Sequence, residues 1–136
     1  MKFNYSLLFL GLFFILISSC RNDDDSVFVT PQAVDLSQVS VPSATMTLGS
    51  SMLLEVEYTL NAGCEAPMGL EMKSEGNQRF LTMYKYTTEA TCGAAEVQTS
   101  EITFTPKAEG TYVLNFRMSE GNTVPYTVTV TPAVVE

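Results

Sequence analysis

Reactive chemistry in this chain has few places to sit. Three cysteines (Cys20, Cys64 and Cys92) and fifteen Asp and Glu carboxylates are available, and histidine is absent. Without an imidazole the chain lacks the commonest general base, the usual partner of a hydroxyl nucleophile and the commonest zinc ligand. No CxxC pair occurs, so a redox couple or a two-thiolate metal site has no motif to complete it. Gly63, Gly69, Gly76 and Gly93 stand singly in turns and form no phosphate-cradling loop. A carboxylate pair for glycoside hydrolysis is a spatial arrangement with no spacing signature. Glu55 and Glu57 share one face of a strand and are read as solvated. Glu71–Asn77 is acidic but has no EF-hand spacing. Phe80, Tyr84 and Tyr86 would make a sugar-stacking platform or ordinary packing, and packing is the preferred reading. The methionines are read as core filler. The residues therefore predict no metal, no cofactor and no enzyme.

The net charge is −8, from seven basic residues against fifteen acidic ones. Such an acidic balance argues against nucleic acid and against a peripheral grip on anionic lipid. Residues 1–19 nevertheless have the order of an export signal: Lys2, the apolar run Leu7–Ile17, then small residues before Cys20. Eleven apolar residues fall short of the about 20 needed to span a bilayer.

Ile17-Ser18-Ser19-Cys20 resembles the lipobox of bacterial lipoproteins. The resemblance implies cleavage before Cys20 and acylation of that residue, with the chain held to the membrane by lipid. Plain secretion with Cys20 unmodified is the alternative. Residues 20–38 are polar, contain Pro31 and lack sustained alternation, and they read as a tether kept extended by its own charge. Asp23-Asp24-Asp25 resembles the acidic surface-export signal of Bacteroidetes lipoproteins, although Arg21-Asn22 precedes it. It implies the outer membrane and the cell surface, with the periplasmic face as the alternative. Val27–Val29 could add a short edge strand.

A domain is expected over residues 39–136, organised around Ser100–Met118. Ile102 and Phe104 alternate with threonines before Pro106; Tyr112, Leu114, Phe116 and Met118 alternate after Gly110. Leu54, Val56, Tyr58 and Leu60 give the clearest period of two. A first strand broken at Pro42, a short strand over Pro67–Lys73, and strands over Arg79–Thr87, Glu96–Thr105 and Val124–Val130 complete the set. On Arg79–Thr87, Phe80/Tyr84/Tyr86 and Leu81/Met83 compete for the inward face. Seven or eight short strands at intervals of about ten residues, with no helical period, predict an all-β antiparallel sandwich. Gly110-Thr111-Tyr112-Val113-Leu114 resembles the tyrosine corner of immunoglobulin-like domains, and implies that the Tyr112 hydroxyl bonds back to the chain. Leu114 stands where antibody domains have cysteine, and tryptophan is absent, so a true antibody-type domain is excluded.

With Cys20 lipidated in an oxidising compartment, Cys64 and Cys92 are left to pair, tying two loops together. Tyr58–Cys64, Thr91-Cys92, Thr103–Pro106 and Gly110–Phe116 together resemble a group of small uncharacterised Bacteroidetes lipoproteins. That resemblance supports the sandwich and the bridge and brings no activity. Three functions remain open. The first is a lipid-anchored, surface-exposed, non-catalytic module that binds a protein or glycan through loops near the disulfide. The second is an accessory subunit of an envelope assembly that associates through a strand edge. The third and least favoured is a small hydrolase.

Overall fold

The computed structural model describes residues 30–119 and 122–133. Nine strands account for most of them: β1 (Gln32–Val34), β2 (Leu36–Ser40), β3 (Thr45–Thr47), β4 (Met52–Asn61), β5 (Glu65–Glu75), β6 (Gln78–Thr87), β7 (Ala95–Phe104), β8 (Gly110–Ser119) and β9 (Asn122–Thr131). No helix occurs among the described residues. One sheet, A, runs β1-β6-β8-β9-β3, with β5 also on β6; the other, B, runs β2-β4-β7. The two face each other across a single apolar core, as in a sandwich.

The alternation in β4 does what its spacing predicts. Leu54, Val56, Tyr58 and Leu60 are buried, while Leu53, Glu55 and Thr59 face water. From sheet A, Leu81, Met83, Tyr112, Leu114, Phe116, Val128 and Val130 meet them. Tyr112 packs edge-on to Phe104 at 5.4 Å, and Phe116 to Tyr126 at 5.5 Å, a geometry aromatic quadrupoles favour. The competition on β6 is resolved: Leu81 and Met83 point inward, and Phe80, Tyr84 and Tyr86 take the other face.

Four expectations are corrected. There are nine strands among the described residues rather than seven or eight, because β1 is additional and the expected first strand is divided in two. β1 lies within the expected tether and β2 straddles its end, so paired strand reaches back to Gln32 among the described residues. Val34 is buried on sheet A and Leu36 on sheet B, with the chain changing sheets at Asp35 between them. That switch breaks the alternation a single strand would show. Nor is the sandwich wholly antiparallel: β6 pairs β8 in parallel, and so does β3 with β9. β7 crosses to sheet B between β6 and β8, and the two reversals leave those neighbours pointing the same way. The expected first strand is likewise two pieces, β2 and β3, in different sheets. Cys20, Asp23–Asp25, Val27–Val29 and the export signal lie outside the described residues.

Candidate binding face

Strand parity puts Phe80, Thr82, Tyr84 and Tyr86 in one row on the outer side of sheet A. All four are half-buried. The neighbours of Tyr84 explain the shape of the surface around it. Its partners across the ladders are Ala33 on β1 and Gly69 on β5, neither of which has a side chain long enough to cover the sheet. Beside it β5 bulges: Pro67 pairs Lys85 and Gly69 pairs Tyr84, so Met68 is the extra residue and stands 47% exposed. Gly69 has φ +143°, which favours glycine, and no atom lies within 4 Å of the point a Cβ would occupy.

The outcome is an open groove of about 620 Å³ with the Gly69 backbone in its lining, bounded by Pro31, Met68, Leu70, Glu71 and Tyr84. A smaller one of about 180 Å³ lies further along β6, against Phe80, Thr82, Asn115, Arg117 and Thr123. Together they present aromatic and thioether surface interleaved with amide, hydroxyl and carboxylate groups. Two cations flanking this face are paired: Arg117 Nε donates to Asp35 Oδ1 at 3.1 Å, and Lys73 Nζ lies 2.8 Å from Glu75 Oε1. An open trough of this kind can stack on and hydrogen-bond to a ligand.

The disulfide end has a different character. The bridge expected between Cys64 and Cys92 is present, with Cα atoms 4.7 Å apart, and it joins the β4–β5 and β6–β7 crossovers. Backbone bonds knit the same two corners. Gly93 N donates to Ala62 O at 2.7 Å, Ala62 N to Ala94 O at 2.9 Å and Thr88 N to Cys64 O at 2.7 Å. Below them Glu65 accepts from Lys85 Nζ and from Asn61 N, the latter at 2.8 Å. These bonds, the Lys85 ammonium foremost, hold the Glu65 carboxyl below its ordinary value of 4.5. This end is braced.

At the opposite turn, the Tyr112 hydroxyl donates to Ala108 O at 3.0 Å, and the Arg79 guanidinium sits 5.0 Å from the Tyr112 ring centre. Glu55 and Glu57 lie on the outer side of sheet B, and Glu55 is directly opposite Glu101. Among the described residues no three His, Cys, Asp or Glu side chains converge to hold a metal.

Sequence reasoning named the aromatics of β6 but favoured packing for them, and it missed the groove beside them. The available signal was Pro67-Met68-Gly69 inside a strand, a composition that marks an edge or a bulge. Comparison with protein-family models, curated proteins and solved structures finds no match to this chain.

Proposed function

We propose that this chain is a lipid-anchored, surface-exposed, non-catalytic module that binds a glycan on the outer side of sheet A. The observation that carries the reading is the row Phe80, Tyr84 and Tyr86, turned away from the core beside an open groove. Sugar rings present apolar C–H faces bordered by hydroxyls, and this row offers aromatic faces bordered by Thr82, Asn115 and Glu71. Anchoring follows from the resemblance of Ile17–Cys20 to a lipobox, and surface display from the resemblance of Asp23–Asp25 to an acidic export signal. Kinship with the small Bacteroidetes lipoproteins belongs to the same reading.

The scaffold is read as immunoglobulin-like. The order β2-β4-β7, the adjacent pair β8 and β9, and the Tyr112–Ala108 bond support this. The parallel β6–β8 pair is a departure from it. The binding face is placed on sheet A and not on the loops beside the disulfide, because those loops spend their polar groups on one another.

A glycan array probed with the chain and with Tyr84→Ala tests the reading. Wild type should retain a defined set of oligosaccharides, and the variant should bind them about tenfold more weakly, the equivalent of ~1.4 kcal/mol. No retention by wild type, or equal retention by both, overturns it.

A further inference from the structure

The edges of the two sheets are not equally protected against added strands. β1 and β3 have three residues each, β2 has five and a bulge, and β5 is bulged beside Pro67. These are devices that blunt an edge. β7 has none of them. It is ten residues long, pairs β4 from Ala95 to Phe104 without a register shift, contains neither proline nor lysine, and among the described residues has no strand on its other side. Val97 on this strand is 65% exposed, the most of any large apolar side chain described.

The charges beside this edge specify what could pair with it. Val97, Thr99, Glu101 and Thr103 share the outer side of β7, and Glu55 on β4 stands directly across from Glu101, with Glu57 the next outward residue on β4. None of the three carboxylates has a cation within ion-pairing distance among the described residues. A second copy of this chain would bring another acidic strand against them. An incoming strand with a basic residue opposite Glu101 meets uncompensated negative charge, and four positions away it meets the Val97 side chain.

We propose that the free edge of β7 accepts an extended segment of a partner protein, which adds as a fourth strand to sheet B. The segment carries Lys or Arg opposite Glu101 and an apolar residue opposite Val97. This surface lies on the other sheet from the proposed glycan face and does not depend on it.

The test uses fluorescein-labelled strand-forming peptides and the purified full chain, with binding read by anisotropy. The first peptide has Val and Lys four positions apart on one face and Thr elsewhere; the second has Glu in place of Lys. The Lys peptide should bind about fivefold tighter than the Glu peptide, and Glu101→Lys should reverse that order. N-methylation of alternate peptide amides along one edge should abolish binding, while methylation along the other edge should leave it intact. Charge attraction without strand pairing would not distinguish the two edges. Absence of saturable binding, equal affinity for the two peptides, an order unchanged by Glu101→Lys, or equal effects of the two methylations overturns the proposal.

Discussion

Glu65 is the residue at which pH enters the stability of the fold. Its side chain is almost wholly covered, and its partners Lys85 and Asn61 favour the ionised form. A carboxyl whose folded value lies below its unfolded one binds a proton more readily after unfolding. Its contribution is therefore complete above the unfolded value and is lost as pH falls through the folded one. Thermal melts of the wild type should fall as pH drops below about 4.5. Glu65→Gln should be less stable at neutral pH and should lose part of that acid dependence; an unchanged profile would remove Glu65 from the account. The cysteine pair acts through the unfolded chain. Cys64 and Cys92 are 28 positions apart, and closing a loop of that length stabilises by ~3–4 kcal/mol in the chain-entropy model. Denaturant unfolding of the Cys64→Ala/Cys92→Ala double variant should show a loss near that size. The knitted corner bonds should keep its folded backbone unchanged.

At the scale of the strand, β6 has two faces with separate duties, and substitution should separate them. Leu81 and Met83 serve the core; Tyr84 and its row serve the surface. Met83→Ala, which opens a cavity at a site with 0% exposure, should cost about 2–5 kcal/mol. Tyr84→Ala should cost under about 1 kcal/mol of stability, since it removes a side chain beside open space, while weakening ligand binding. Gly69→Val tests the groove from its floor. The backbone at φ +143° disfavours a β-branched residue, and the new side chain would project into the space beside Tyr84. It should lower stability and binding together.

The legibility of the strands follows the same division. Where one face is buried and the other wet, as in β4 and β8, alternation identified both the strand and its inward residues. β6 was harder, because both faces carry large apolar or aromatic side chains and periodicity alone cannot choose between them. β1 and β2 were hidden because three and five residues divided between two sheets never complete a pattern. The Met68 bulge and the facing of Glu55 on Glu101 depend on register, which is a property of pairs of strands and not of one.

On the whole molecule, the chain is strongly acidic, with fifteen Asp and Glu against seven Lys and Arg, and two features of the described residues stand apart: the aromatic row on sheet A and the bare edge of β7. They lie on different sheets, so one body could hold a glycan and a protein partner together. The anchor belongs to this scale as well. Mass spectrometry of the membrane fraction should find Cys20 as a lipid-modified N-terminus, and replacing Asp23, Asp24 and Asp25 with alanine should lower display on intact cells. An unmodified secreted chain would contradict the first expectation, and unchanged display the second.

If the domain is displayed at the cell surface as proposed, the outer row of β6 is open to a ligand there. The most direct measurement is to treat intact cells with a membrane-impermeant, tyrosine-directed label and map the modified residues. Tyr84 and Tyr86 should be modified before lysis, with Tyr58 and Tyr112, 1% and 3% exposed, left unmodified. Labelling of Tyr84 and Tyr86 only after lysis, or not at all, would contradict the proposal.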